Sequence, residues 1–183
     1  MKSAFKELAK NKASIKMKKT EAENLDLDYA LLLPGGVADE LMRQLENSVE
    51  YYEGELTKVK VFGKWHQIPR QQVAYGDDGM MYSFSGINLP AKPWTPLLND
   101  LRNFLYEVTG FLYNFVLINR YRNGNDHIGE HRDAEKELDK NTPIASLSLG
   151  QKRTFVLKHG DTRKTGSDRR DIPTGEGKIY GKV

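Results

Sequence analysis

Three short apolar runs in the second half of the chain constrain the fold most: FLYNFVLINRY (111–121), PIASLSLG (143–150) and KRTFVLKH (152–159). Each reads as a strand. The first two are joined by a long polar connection containing GNDHIGEHRD (124–133). Upstream, LDLDYALLL (25–33) alternates and then turns fully apolar, as a strand entering a core does, and PGG breaks it. Val37, Leu41, Leu45, Val49 and Tyr52 recur at helical spacing, predicting an amphipathic helix over 37–52. LTKVKVFGKWHQIP (56–69) reads as a hairpin with Gly63 permitting the turn. QQVAYGDDGMMYSFSG (71–86) suggests two short strands around Gly-Asp-Asp-Gly, and PAKPWTP a proline-stiffened loop. Leu97, Leu98, Leu101, Leu105 and Val108 mark a second helix, ended by Gly110. No internal repeat is present. Two helices before or between many strands favour an α+β fold with a sheet-on-sheet core.

At 183 residues the chain suffices for one domain with a sizeable core. It has no cysteine, which excludes disulfides and thiolate metal sites. No apolar run is long enough to span a membrane, and no apolar segment follows the N-terminal lysines as in a secretory signal. The expectation is a soluble intracellular protein. The formal net charge of +3 is modest, but basic residues cluster. Residues 1–19 carry seven lysines and one acid, and residues 152–170 carry seven Lys or Arg and two Asp. Such clusters suit a polyanion, nucleic acid above all; the plain alternative for each is a solvated tail. Residues 1–24 read as a basic flexible arm, 25–170 as the folded domain and 171–183 as a divergent polar tail.

In His131-Arg132-Asp133 an imidazole and a carboxylate stand two residues apart. In an extended segment both point to one face. One nitrogen and one oxygen donor converging in this way are two-thirds of a 2-His-1-carboxylate facial triad, which leaves three positions open on octahedral Fe(II). The bland alternative is a loop histidine bonded to a neighbouring acid. His127-Ile128-Gly129-Glu130-His131 also matches the inverted zinc-protease pattern, but that chemistry needs a helix. Gly129 inside the motif and NGND before it oppose one.

VFGKWHQIPR, YGDDGMMYSFSG, FVLINRYRNGNDHIGEHRD and PIASLSLG together resemble the AlkB family of Fe(II)/2-oxoglutarate dioxygenases. Within it they resemble the vertebrate-type second AlkB homologue branch, which removes alkyl lesions from duplex DNA. The resemblance covers about residues 27–170. It implies a double-stranded β-helix (jelly-roll) core with N-terminal helices, Fe(II) as cofactor, 2-oxoglutarate and dioxygen as cosubstrates, and a monomeric nuclear repair enzyme. Its substrates would be 1-methyladenine and 3-methylcytosine in duplex DNA.

By the same resemblance, His131 and Asp133 match iron ligands, and Asn119 and Tyr121 match groups that hydrogen-bond 2-oxoglutarate, whose carboxylates are acceptors. Tyr82, Phe84 and Ser85 match the lesion-base pocket, where a flipped base needs a flat face and a polar edge reader. Glu135 matches an acid beside that pocket; the family commonly has a second acid where this chain has Ala134. Val61, Phe62 and Gly63 match a finger that enters the duplex, its ring filling the gap left by a flipped base. Arg70 and the basic run 152–170 would grip phosphates and the opposite strand. Read without the family, Tyr82 and Phe84 would be core, Asn119 and Tyr121 a polar strand end, and Phe62 a ring folded back onto the core.

The family's second iron histidine and its arginine-bearing N-x-T-F-R-like segment have no match after Arg170, so the chain reads as C-terminally truncated or alternatively ended, with final core strands missing. His159, the one histidine after Asp133, comes too early to match and could substitute only by rearrangement. Three functions compete: the family's oxidative demethylase, a catalytically impaired form that binds DNA, and an unstable form without activity. The N-terminal lysines could serve nuclear import or recruit a replication or repair partner, though neither has a specific motif.

Overall fold

The computed structural model describes residues 1–22, 25–84, 86–133, 137–139, 141–158, 169–173 and 178–180; for residues 22 and 84, and from 158 onward, only the backbone is described. The chain divides into two compact units: Met1–Ser48 with Glu107–Phe111 and Asn141–Val183, and Val49–Tyr106 with Leu112–Lys140.

The first unit opens with helix α1 (Lys2–Lys10), a short 3-10 turn (Lys12–Ser14) and strand β1 (Lys18–Ala22). Regular structure thus occupies much of the stretch whose lysines suggest a flexible arm. Burial of Phe5 gives α1 its apolar anchor, while polar β1 is held by backbone pairing, antiparallel to β2 (Leu25–Leu31) from Lys18↔Tyr29 to Ala22↔Leu25. The alternation expected from 25–33 is realised, with Leu27 and Ala30 buried. Helix α2 (Gly35–Ser48) buries Ala38 and Leu41 and ends four residues before the periodicity predicts. Pro34 O accepts from Val37 N and Ala38 N, satisfying two amides that have no partner within the helix.

PIASLSLG contributes β10 (Ser146–Ser148) and KRTFVLKH contributes β11 (Thr154–Lys158). The polar tail also holds strands: β12 (Arg169–Pro173) pairs with β11, and β13 (Lys178–Tyr180) lies between β2 and β10 in the order β1-β2-β13-β10. These strands were not expected from the sequence. A run with few apolar residues still donates backbone hydrogen bonds, which hydropathy does not register.

The second unit is built on three sheets. β3 (Lys58–Val61) and β4 (Lys64–Gln67) form the expected hairpin. β5 (Gln71–Gly76) is its core strand, with Val73, Ala74 and Tyr75 buried. It runs antiparallel to β9 (Phe115–Arg120) and parallel to β8 (Lys92–Pro93). β6 (Met81–Phe84) pairs with β7 (Ile87–Pro90), so the two strands expected around Gly-Asp-Asp-Gly exist but pair with other partners. Tyr52 seats the chain against β5: its N–H donates to Gln72 O at 3.0 Å, its hydroxyl donates to Pro90 O, and Ala74 N–H donates to that hydroxyl at 3.2 Å.

Helix α3 (Pro96–Thr109) starts as the sequence dictates. Pro96 fits a first turn that needs no N–H, and Thr95 caps it, its Oγ1 accepting from Leu98 N at 3.2 Å. Gly110, at φ 78°, ends it.

Candidate active site

The candidate residues belong to the second unit, and the β5–β9 ladder sets their geometry. Gln72 pairs with Asn119 and Gln71 with Arg120. Side chains alternate across a strand, so Phe115, Leu117 and Asn119 share one face, with Gln72 and Ala74 beside them. Tyr82, from β6, lies with its ring centroid 5.5 Å from that of Phe115, tilted by 36°. The tyrosine expected at the lesion pocket and the asparagine expected at the cosubstrate thus attach to one strand, four residues apart.

Arg70 enters from the bend before β5. Its Nε donates to Asn119 Oδ1 at 2.7 Å and its Nη2 to Gln72 Oε1 at 3.3 Å. Burial pushes the guanidinium pKa down, while the Tyr121 and Tyr82 phenols act the other way. The side chain expected to grip phosphates is therefore half-buried and turned onto Asn119.

After β9 the chain makes a tight polar loop. Arg122 donates from N at 2.8 Å and Nε at 2.7 Å to Asp126 Oδ2, and from Nη2 at 2.9 Å to Oδ1. Asn123 Oδ1 accepts from Asn125 N at 2.9 Å, an Asx turn. His127 N then donates to Pro69 O at 2.9 Å, tying this loop to the bend that carries Arg70. Residues 126–133 form no helix, so the geometry that the inverted zinc pattern needs is absent there.

His131 Nδ1 lies 2.9 Å from Gly129 O. A carbonyl can only accept, so Nδ1 carries the proton, and in the neutral ring Nε2 keeps its lone pair. That Nε2 lies 3.3 Å from Asp133 Oδ1. The hydrogen bond to Asp133 chiefly raises the His131 pKa, helped by Gly129 O and the Asp133 charge; burial and Arg70 oppose it. Two ligands at right angles on bonds of ~2.1 Å stand about 3 Å apart, so this pair suits a first-row divalent ion. Both side chains are exposed. Among the described residues no group of three His, Cys, Asp or Glu converges.

The β3–β4 hairpin turns through Phe62 (φ 47°) and Gly63 (φ 79°), a two-residue type I′ turn. Phe62 is 102% exposed and Val61 is also exposed, so the ring is not folded back. Cross-strand partners Lys60 and Trp65 stack beneath it, the ammonium 5.9 Å from the ring centroid. Phe84 lies on β6. Its side chain, Ser85, Glu135 and His159 lie outside the described residues, as do residues 159–168 of the basic run.

Gln72 and the Arg122–Asp126 clamp escape the sequence reading. Gln72 is the second of two glutamines opening a strand that is apolar beyond them, and Asp126 is an acid four residues after an arginine; both signals were readable but unspecific.

A family model described as the 2OG-Fe(II) oxygenase superfamily matches residues 30–177. The chain belongs to this superfamily. Its members use Fe(II), 2-oxoglutarate and dioxygen, and its AlkB-type relatives are similar at high identity. The DNA oxidative demethylase ALKBH2 of Mus musculus is 54% identical over 142 residues, 78% of this chain and 59% of that protein. The Homo sapiens protein of the same name is 52% identical over 149 residues, 81% of this chain and 57% of that protein. The human alpha-ketoglutarate-dependent dioxygenase alkB homolog 3 is 39% identical over 94 residues, 51% of this chain and 32% of that protein. The chain thus spans between half and three-fifths of the length of these mammalian ALKBH2 relatives. Among the described residues no helix is long and apolar enough to cross a membrane.

Proposed function

We propose that this oxygenase chain serves DNA dealkylation repair, oxidising alkyl groups on base nitrogens in duplex DNA, with 1-methyladenine and 3-methylcytosine as substrates and the nucleus as its place of action. One observation carries the reading. Arg70, hydrogen-bonded to Asn119, carries a charge that acts on His131 of the His131–Asp133 pair and on the Tyr121 and Tyr82 phenols, in a chain over half identical to proteins named DNA oxidative demethylases.

In this reading His131 Nε2 and Asp133 Oδ1 hold Fe(II), which supplies dioxygen activation when bound together with 2-oxoglutarate. Asn119 and Tyr121 orient the cosubstrate by donating to its carboxylate oxygens. Tyr82, with Phe84, Ser85 and Glu135, reads the flipped base. Val61, Phe62 and Gly63 form the finger that fills the vacated stack, with lysines of the hairpin and the basic run 152–170 on the phosphates. The fold over 25–170 is a double-stranded β-helix, with 1–24 a basic appendage that recruits a repair partner and 171–183 a divergent tail. The protein acts as a monomer.

A second reading, a DNA-binding form with impaired chemistry, is favoured by one observation: two ligands converge among the described residues, not three. One experiment separates them. The chain is given Fe(II), ascorbate and 2-oxoglutarate, and removal of 1-methyladenine from a duplex is followed, with His131→Ala as control. Repair lost in the control supports the first reading. Duplex binding without repair supports the second. Neither binding nor repair removes both and leaves an unstable, inactive form.

A further inference from the structure

Arg70 touches the strand end rather than the surface, and its chemistry fixes more than its own place. A guanidinium only donates. Its Nε meets Asn119 Oδ1 at 2.7 Å and its Nη2 meets Gln72 Oε1 at 3.3 Å. Both amides must therefore present oxygen to it and turn their NH2 groups away; the usual ambiguity of amide orientation is resolved by the partner. The arrangement has a visible cost. Gln72 is 2% exposed, and its Nε2 has no hydrogen-bond partner among the described residues. Flipping the amide would set that NH2 against Nη2, donor against donor, so Arg70 holds Gln72 in an orientation it would otherwise leave. The ladder places Gln72 opposite Asn119, so the two oxygens form a fork into which the guanidinium fits.

We propose that Arg70, seated by Gln72, is a positioning residue for the cosubstrate: it fixes the Asn119 side chain so that its NH2 is the end offered to a carboxylate. Without that bond the Asn119 amide is free to rotate and present oxygen, which repels a carboxylate. This rests on the reading of Asn119 as a 2-oxoglutarate ligand. It gives Arg70 a different task from phosphate contact, and the two tasks have different signatures. A residue that neutralises a phosphate contributes about one unit to the salt slope of duplex binding. A residue that orients Asn119 contributes to cosubstrate affinity and is coupled to Asn119.

The test uses the full chain loaded with Mn(II), so that binding is measured without turnover. The dissociation constant of 2-oxoglutarate is determined by calorimetry for the unaltered chain, Arg70→Ala, Asn119→Ala and the double variant. Duplex affinity is measured against salt for the same proteins. The expected result is a loss of about tenfold or more in Arg70→Ala, no further loss when Asn119→Ala is added, and an unchanged salt slope. Gln72→Ala gives a smaller loss in the same direction. If Arg70→Ala does not melt cooperatively, Arg70→Lys replaces it. Its single ammonium cannot serve both oxygens, so it too weakens 2-oxoglutarate, by less.

Affinity unchanged in the Arg70 variants but lowered in Asn119→Ala overturns this role and leaves the Asn119 reading standing. Losses that simply add overturn it as well, and so does a salt slope reduced by one unit with cosubstrate affinity intact. Unchanged affinity in Asn119→Ala, or no measurable binding by the unaltered chain, removes the underlying reading and this role together.

Discussion

Asp126 holds Arg122 by three hydrogen bonds, one from the backbone amide and two from the guanidinium, and it is only 5% exposed while its partner's side chain is half in water. The two ends of this bond are therefore unequal. Removing the arginine side chain takes two of these three donors and their charge from a buried carboxylate; removing the carboxylate leaves a cation that water can reach. Arg122→Ala is expected to lower the Tm more than Asp126→Asn does, with the former falling by roughly 5 °C. Both loosen the loop that ends at His131 and Asp133, so Mn(II) binding weakens in the same order. Thermal melts of the two variants decide it; the reverse ranking would mean that the loop is held elsewhere.

His131 gives a pH dependence whose sign can be worked out. Its folded pKa is raised above 6.5, chiefly by the hydrogen bond to Asp133. A raised histidine contributes stability that is fully present below 6.5 and is lost as the pH climbs through the folded value. The metal-free chain should therefore lose stability across the window that opens at 6.5 and runs upward. Metal binding runs the other way, because a ligand imidazole must be neutral. Mn(II) affinity should rise through the same window. NMR titration of the His131 ring gives the value directly, and Asp133→Asn should bring it back towards 6.5. An imidazole that titrates at or below 6.5 in the unaltered chain contradicts the geometry.

The elements carried by side-chain pattern were legible in the sequence. Leu27 and Ala30 sit inward on β2, Leu98 and Leu101 on α3, and the β3–β4 hairpin turns where Gly63 allows it. The elements carried by the backbone were not. β13 and β12 lie in a polar stretch, and β8 is two residues long, so hydropathy had nothing to register. The pairing of β5 with β9 is non-local, and no spacing along the chain announces that Gln72 will face Asn119. For the same reason Arg70 read as a surface cation beside the finger. Its sequence neighbours lie on the hairpin side, but its hydrogen-bond partners lie on the ladder.

Tyr52 predicts a stability effect that involves no charge. Its hydroxyl donates to Pro90 O and accepts from Ala74 N–H, and the residue is 9% exposed. Tyr52→Phe keeps the ring and removes both bonds, leaving the Pro90 carbonyl of β7 and the Ala74 amide of β5 without that partner. The expected cost is about 1–2 kcal/mol. Urea unfolding should show a lower midpoint with an unchanged slope. No change would mean that water replaces the hydroxyl at both groups.

Phe62 sets stability against function. It is a non-glycine residue at φ 47°, where an L side chain is strained, and its ring has no protein contact to offset that strain, being 102% exposed. The turn type is nevertheless imposed by the two-residue connection between Val61 and Lys64, whose twist needs positive φ at both positions. Phe62→Gly removes the strain and restores some unfolded-state entropy, so the net gain should be small, up to ~1 kcal/mol. If the ring fills a gap in the base stack, the same substitution should weaken duplex binding tenfold or more, because unstacking costs a few kcal/mol per step and nothing then offsets it. The two measurements therefore move in opposite directions for one residue. A chain made less stable by Phe62→Gly would show that the ring packs in the free protein. A more stable chain with unaltered duplex affinity would show that the finger does not enter DNA.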